Sequence, residues 1–567
     1  MSAAAQMHHG KEITGFRLVF GYFGMFLVLI GFIAAIPMLV VPFYPSEYRA
    51  LLIFGSVSLT DIVVGFILFF SLVYKRKRSR FMRHQESLLL MLTWLGAIIS
   101  GAAPFYIAKL MGEMNMNITM SVFEATSGYS TTGLTVFRDF IDVEGAFCPH
   151  VYTFHRAFMN FIGGVGLVLL VASVLGAGSG GMSLYVSEGH SDHLLPNIAK
   201  SAKLIFGIYV FYTVLGTIAL LIAGMPLFDA ITHAMSALSG GGFSPRAANV
   251  SAYRLLEGEM LPGAIMPVNS LAIEIIIIVF VTFSAISFML HTFLLRGRFR
   301  DFFKDDEIRY AFFAAGLFIF IGFFGCLLAL NGATMNYFNS WGEVLRMDFF
   351  YIIGAMTNSG FASTTGSFPI NIIPGGTAAF AGHSYILLLI LTMLVGGGAG
   401  SSAGGIKQYR IAIALRSLYY SIRYRFSSIH QHYPKLTYRY GKNRELDEET
   451  IHEAHHYIFI FVVIFFAITA SVCLIDPKHY DVESAAFDVA SAISNTGLSW
   501  VVGADYAETG SVAALGVIWL MSVGMLLGRL EVFPAVYAVS NIGEEIKYHY
   551  VLRRRRRRAE AVNSMEE

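Results

Sequence analysis

Six apolar runs constrain this chain more than any other feature. Residues 18–43, 51–74, 270–295, 310–331, 457–475 and 511–528 are each long enough, or nearly so, to cross about 30 Å of hydrocarbon. The composition agrees with that reading. The 567 residues are 55% hydrophobic and 14% charged, whereas soluble domains carry about a quarter charged residues. The chain is therefore a polytopic membrane protein. No short apolar region with a cleavage site precedes the first run, so that run is read as a span and not as a removed signal peptide.

Charge sets the expected orientation. Thirty-one of the 40 Lys and Arg fall in alternate loops: 1–17, 75–83, 174–203, 296–309, 407–445 and 543–567. Basic loops stay on the cytoplasmic side, which predicts both termini there and an even number of spans. Ten fits the runs. The cysteines Cys148, Cys326 and Cys473 are odd in number and far apart, so they suggest neither a disulfide framework nor a CxxC metal site.

One short signature occurs four times. It reads Ser130-Thr131-Thr132-Gly133, Ser239-Gly240-Gly241-Gly242, Thr357-Asn358-Ser359-Gly360 and Ser494-Asn495-Thr496-Gly497. A hydroxyl always stands three places before the last glycine, and Leu or Phe always follows it (Leu134, Phe243, Phe361, Leu498). Each copy follows a short apolar stretch of about ten residues, too short to span and read as a re-entrant helix. Each stretch begins near a carboxylate (Glu124, Asp229, Asp348, Asp488), expected in a first turn to suit the positive end of the helix dipole. Small residues also let membrane helices pack closely, but that does not predict four copies in matching contexts.

The pattern predicts an all-α membrane protein of four pseudo-repeats around one pore. Each repeat is helix, re-entrant pore helix, filter loop, helix, and two further transmembrane helices precede them. The expected divisions are 1–83 with those two helices, repeats at 84–200, 201–309, 310–450 and 451–545, and a basic tail at 546–567. Four half-helices ending near mid-membrane would aim their negative C-terminal ends at one axis, which favours a cation. Glycine lets the backbone turn its carbonyls inward, and rings of carbonyls replace an ion's hydration shell. The hydroxyls could add ligands or brace the loops. No carboxylate lies inside the signatures, which argues against a divalent-type acidic ring.

The signatures resemble the Trk/Ktr/HKT superfamily of potassium transporters, and within it the bacterial TrkH members. Further segments share the likeness, which covers roughly residues 18–545: "FIGGVGLVLL" (161–170), "GGMSLY" (180–185), "KDDEIRYAFF" (304–313), "VGGGAGSSAGGIKQYR" (395–410) and "LLGRLEVFP" (526–534). The resemblance implies that Gly133, Gly242, Gly360 and Gly497 are filter glycines for a transported potassium ion. Plant members with serine at the first position favour sodium, and this chain has Gly133. Gly240–Gly241 departs from the Ser/Thr-Gly of many relatives and is expected to loosen the second loop. The resemblance also implies a homodimer, a cytosolic nucleotide-binding ring of RCK type (TrkA/KtrA-like) and a bacterial inner-membrane location. It implies no organic cofactor in this chain and no nucleic-acid partner. The potassium-binding subunit of a Kdp-type pump shares the repeat plan and is the alternative within the class. Coupling to Na⁺ or H⁺, as against channel-like flow, stays open.

Residues 396–405 interrupt the second span of the third repeat with six glycines: Gly396, Gly397, Gly398, Gly400, Gly404 and Gly405. At about 1 kcal/mol per glycine no continuous helix survives there, and the freed backbone must line a cavity. The resemblance implies a gate-forming intramembrane loop, against the plainer reading of a packing kink. Arg529 lies inside an apolar helix, so it must face the interior or a partner. It is expected beneath the filter, donating to carbonyls of the 396–405 loop, against the reading of a buried ion pair. Arg156 is expected to snorkel toward an interface.

Three motifs are set aside. "GAGSGG" (176–181) follows no strand, and "GSSAGGIKQ" (400–408) lacks the spacing of a phosphate-binding loop. His452, Glu453 and His456 satisfy H-E-x-x-H, the rival reading of a membrane-embedded zinc peptidase, but have no evident third ligand. No enzymatic activity is expected. Arg553 to Arg558 form a basic run that suits anionic lipid.

Overall fold

The computed structural model describes residues 15–74, 83–166, 198–329, 341–363, 379–426 and 436–530. Helix dominates, because in hydrocarbon a segment must satisfy its own backbone groups. The first helix, Phe16–Ala35, tightens into a 3₁₀ segment, Ile36–Phe43, where Pro37 and Pro42 interrupt regular bonding. It packs along Arg49–Leu72. Gly24 and Gly65 permit the approach: a Cβ at Gly24 would lie 2.7 Å from the Gly65 carbonyl oxygen.

Four units follow, each with an outer helix, a pore helix and an inner helix. In unit one these are Arg83–Leu110, Ile118–Tyr129 and Pro149–Val165. In unit two they are Ile198–Ile222, Leu227–Ser239 and an inner helix broken into Ser270–Ser284 and Phe288–Leu295, bent by 114°. Unit three has Asp306–Ala329, Trp341–Met356, and Ala379–Val395 followed across a loop by Gln408–Arg425. Unit four has Glu448–Ile475, Val482–Ser494 and Val512–Leu530. Among the described residues seven helices are long and apolar enough to span, and an eighth if the bent pair is one span. The other two elements expected as spans, Pro149–Val165 and Ala379–Val395, are 17 residues each, at the short limit for about 30 Å.

The four units close on themselves. Each inner helix packs against a pore helix of the following unit: one on two, two on three, three on four, and four back on one. A two-stranded hairpin, Leu436–Arg439 with Lys442–Glu445, packs on the start of the third outer helix. The Tyr438 N–H donates to Asp306 at 2.6 Å and the Tyr440 N–H to Asp305 at 2.9 Å.

Two expectations need correction. The pore helices have 12, 13, 16 and 13 residues, longer than expected. Of the four carboxylates, Asp229 alone lies in a first turn; Glu124, Asp348 and Asp488 sit mid-helix. The N-terminal ends are satisfied otherwise. Asn117 caps unit one through Met120 N–H, and Asp481 forms a capping box with Ser484 in unit four. The Ser484 hydroxyl and N–H hold the Asp481 carboxyl below the usual carboxylate range.

Candidate ion pathway

All four pore helices end in the same way. The residue two before each signature glycine is left-handed: Thr131 at φ 57°, Gly240 at 78°, Asn358 at 54° and Asn495 at 57°. The next N–H then reaches back to the pore helix. Thr132 bonds Ser127 O (2.9 Å), Gly241 bonds Ser236 O (3.0 Å), Ser359 bonds Gly354 O (2.8 Å) and Thr496 bonds Ser491 O (2.8 Å). This is the 6→1 closure of a Schellman turn, and it releases the chain from the helix at one level in every unit.

The signature glycines meet in a ring. A Cβ on Gly133 would collide with the Gly241 carbonyl oxygen, and one on Gly242 would lie 2.5 Å from the Gly360 carbonyl carbon. One on Gly360 would lie 2.8 Å from Thr496 O, and one on Gly497 would strike Thr132 O. The order one, two, three, four, one matches the helix packing. Gly133, Gly242 and Gly497 have φ of 91°, 79° and 97°, which L side chains rarely adopt. Gly360 is the exception: its φ is not positive, so proximity alone excludes a side chain there.

The hydroxyls three before each glycine brace the helix ends. Ser130 donates to Ser127 O (3.4 Å), Ser239 to Ser236 O (2.9 Å), Thr357 to Ile353 O (2.8 Å) and Ser494 to Ala490 O (2.5 Å). Two side chains also stitch one loop to the next. The Asn358 amide donates to Thr496 Oγ1 at 3.0 Å, and the Asn495 amide to Thr132 Oγ1 at 2.9 Å. The second loop takes no part: Gly240 has no amide to offer Ser359, whose buried hydroxyl finds no partner, and Gly241 has no hydroxyl to receive one. Gly240–Gly241, expected to loosen the second loop, thus stands where these two stitches are absent.

A further equivalence escaped the sequence reading. The residue nine before each glycine ties the pore helix to the chain that follows the signature. Glu124 accepts the Val136 N–H (3.0 Å), His233 meets Ser244 Oγ (3.2 Å), the Tyr351 hydroxyl accepts the Ser363 N–H (3.2 Å) and Asp488 accepts the Trp500 N–H (2.6 Å). Alignment of the units on their glycines would have exposed the position, but four residue types share the task. Asp229, offset from this position, instead accepts Arg246 at 2.7 Å and the Tyr253 hydroxyl at 2.6 Å.

Arg156 does not snorkel. It is 1% exposed and pairs with fully buried Glu124 at 2.7 Å. Its other nitrogens donate to Thr135 Oγ1 (2.8 Å) and to Ser244 O of the next unit (3.1 Å), and its guanidinium lies 4.1 Å from the Phe243 ring centre. A carboxylate on the neighbouring pore helix outweighs the pull of the interface, because a buried charge needs a partner.

Below the ring the inner helices of three units give way. The first ends at Val165, with Gly166 at φ 92°; the second breaks at Ala285; the third becomes the 396–405 loop. The fourth continues to place Arg529 there. The loop is bonded on several sides. Gly398 N–H donates to Ala285 O (2.8 Å), Ser402 Oγ to Ser284 O (2.8 Å), and Phe288 N–H to Gly400 O (3.2 Å). Ala399 N–H donates to buried Glu307 (2.5 Å), and Gly397 N–H to Asn358 Oδ1 (3.2 Å). Gly404 packs so closely on Ser494 O that a Cβ would collide with it. Gly396 and Gly405 cross the loop's ends, both left-handed, with a hypothetical Cβ on Gly405 2.8 Å from the Gly396 Cα; Gly400 at φ 72° forms its turn. Half-buried Arg529 donates to Ser402 O in the loop, to Gly163 O in unit one, and to Thr131 Oγ1 at 3.4 Å. All four units thus meet beneath the ring of signature glycines.

His452, Glu453 and His456 lie exposed near the start of the helix Glu448–Ile475. Among the described residues no three His, Cys, Asp or Glu side chains are placed to hold a metal. The 180–185 segment and the Arg553–Arg558 run lie outside the described residues.

Four re-entrant helices, four convergent glycine loops and a broken-helix layer beneath them define a multi-pass membrane protein of the four-loop cation-pathway class. The comparisons give the family. The profile of TrkH, described as a cation transport protein, matches residues 56–547, and the chain belongs to that family, one of transporters and not of enzymes. It is similar to the Trk system potassium uptake protein TrkH of Salmonella typhimurium, at 28% identity over 534 residues, 91% of this chain and 97% of the relative. TrkG of Escherichia coli K12, also named a Trk system potassium uptake protein, is 26% identical over 521 residues, 89% and 93% of the two chains. The crystal structure of the potassium transporter TrkH from Vibrio parahaemolyticus matches with a TM-score of 0.73 at 25% identity, covering 92% of this chain and 98% of that one.

Proposed function

We infer that this chain carries potassium across a bacterial inner membrane through a filter of four loops and past an intramembrane gate. The observation that carries the reading is the closed ring in which each signature glycine leaves no room for a side chain against the next loop. With side chains excluded, backbone carbonyls are the groups left to face an ion on the axis, and carbonyls suit a dehydrated monovalent cation. The pore helices add the negative ends of their dipoles. The names of the relatives support potassium as that ion.

The residues assigned to the ion are Ser130 to Gly133, Ser239 to Gly242, Thr357 to Gly360 and Ser494 to Gly497, chiefly through main-chain oxygens. The 396–405 loop is the gate, and Arg529 its latch: it binds the loop by Ser402 O and adds a positive charge below the filter. Both termini are placed in the cytoplasm, the chain forms a homodimer, a cytosolic nucleotide-binding ring controls the gate, and the Arg553–Arg558 run rests on anionic lipid. Purified chain in liposomes, assayed for K⁺, Na⁺ and Rb⁺ flux with and without opposing gradients, tests the reading. Flux that prefers K⁺ and Rb⁺ over Na⁺ is expected; equal flux of all three would overturn it.

A further inference from the structure

Repeat two departs from repeats one and four at one more position, where repeat three has Gly354. In units one and four the serine six before the glycine accepts the glycine's own N–H: Gly133 to Ser127 Oγ at 3.0 Å and Gly497 to Ser491 Oγ at 2.9 Å. Ser236 holds that place in unit two, yet its hydroxyl does not bind Gly242. It accepts instead the side-chain amide of Asn160 at 3.1 Å.

Asn160 comes from the inner helix of unit one. It is fully buried, and its Oδ1 finds no partner. Its carboxamide fills the space that a side chain on Gly241 would need, since a Cβ there would collide with Asn160 Nδ2 and Cγ. Its neighbours on the same helix contact unit two at successive levels. Arg156 reaches Ser244 O at 3.1 Å, and Gly164 packs on Ser239, where a Cβ would lie 2.6 Å from the Ser239 Cβ. Positions 156, 160 and 164 recur at one helical turn and share a face. The Gly241 carbonyl, in turn, is the group that Gly133 confronts across the ring.

We propose that Asn160 is the specificity-determining positioning residue of the second filter loop, standing in for the side chain that Gly241 lacks. The inference rests on the filter reading above and assigns it a residue outside the four signatures. The first and fourth loops are positioned through signature side chains and pore-helix serines, and the third through Asn358. The second is positioned by a carboxamide lent by the preceding unit. Ion preference depends on carbonyl placement, so loss of this contact acts on the ratio of K⁺ to Na⁺ more than on total flux.

The test uses the full chain in liposomes. Asn160→Ala is expected to lower the K⁺/Na⁺ flux ratio by roughly three- to tenfold, the equivalent of one ordinary hydrogen bond acting unequally on the two ions. Gly241→Ser alone is expected to be nearly inactive, because the new side chain meets Asn160. Asn160→Ala with Gly241→Ser is expected to regain activity and to exceed the ratio of Asn160→Ala, because serine then fills the vacated space. Should Asn160→Ala fail to assemble, Asn160→Ser is measured in its place, with the same direction expected. An unchanged ratio with K⁺ and Na⁺ flux reduced in proportion, or no rescue in the double variant, overturns the proposal. An unmodified chain without K⁺ preference overturns the filter reading itself, so the two failures are told apart by the wild-type measurement.

Discussion

Arg529→Ala separates a gate from a packing kink. The side chain makes two bonds to carbonyls, at Ser402 and Gly163; the 3.4 Å contact with Thr131 is too long to add much. A hydrogen bond from a charged group contributes about 1.5–3 kcal/mol, and the bond to Ser402 O tethers the loop. Its loss therefore shifts the closed-to-open equilibrium by about 10- to 150-fold, at roughly 1.4 kcal/mol per factor of ten. The loop keeps its bonds to Ala285, Ser284, Phe288 and Glu307, about 4 kcal/mol at ~1 kcal/mol each, so the closed form persists. The expected result is a rise in K⁺ flux within that bound at an unchanged K⁺/Na⁺ ratio, read by single-channel or liposome recording. Arg529→Lys keeps the charge but not the fork that reaches two carbonyls, and should fall between. Deleting Gly398 to Ala403 should also raise flux, and the two changes should not add, because they remove the same barrier. Lower flux in both variants at normal assembly would refute the latch and leave a kink.

Four further outcomes follow from the geometry. Gly133→Ser should abolish K⁺ preference and impair the filter more than Gly360→Ser, since Gly133 combines φ 91° with a collision at Gly241 O while Gly360 has no positive φ; flux ratios of the two variants check the ranking. Arg156→Ala should lower stability by about 3–5 kcal/mol, because it strands Glu124, whereas Arg156→Met with Glu124→Leu should recover much of the loss; denaturation in detergent measures it. Asp481 has a depressed folded carboxyl, so its stabilisation is present above the unfolded value of about 3.9 and fades as pH falls through the lower folded value; Asp481→Ala should remove about 1 kcal/mol at neutral pH and flatten this part of the acid profile. His452→Ala and Glu453→Ala should leave ion flux near normal, with no stoichiometric zinc by elemental analysis; one zinc per chain, lost in His452→Ala, would restore the peptidase reading.

The helical membrane architecture was legible because apolar length and glycine spacing are written in residue identity. The signature glycines could be aligned for the same reason: the constraint at Gly133, Gly242 and Gly497 is steric, and one residue type meets it. The braces nine residues upstream were not legible, because Glu124, His233, Tyr351 and Asp488 form different bonds to the same stretch of chain. Arg156 was misjudged for a related cause. Nothing in a linear reading brings Glu124, 32 residues earlier, under its guanidinium. Asn160 reads as one polar residue in an apolar helix until Gly241, 81 positions later, is seen to leave the room it occupies.

The ring closes through contacts between the ends of the chain, and that bears on how the protein is made. The Thr132 hydroxyl receives its amide from Asn495, 363 residues later, and the first pore helix leans on Val512–Leu530. Domains generally fold as units, N-terminal first, during synthesis, but this pathway has no N-terminal half that can be finished early. Until nearly the whole chain has left the ribosome, the first glycine loop lacks one wall.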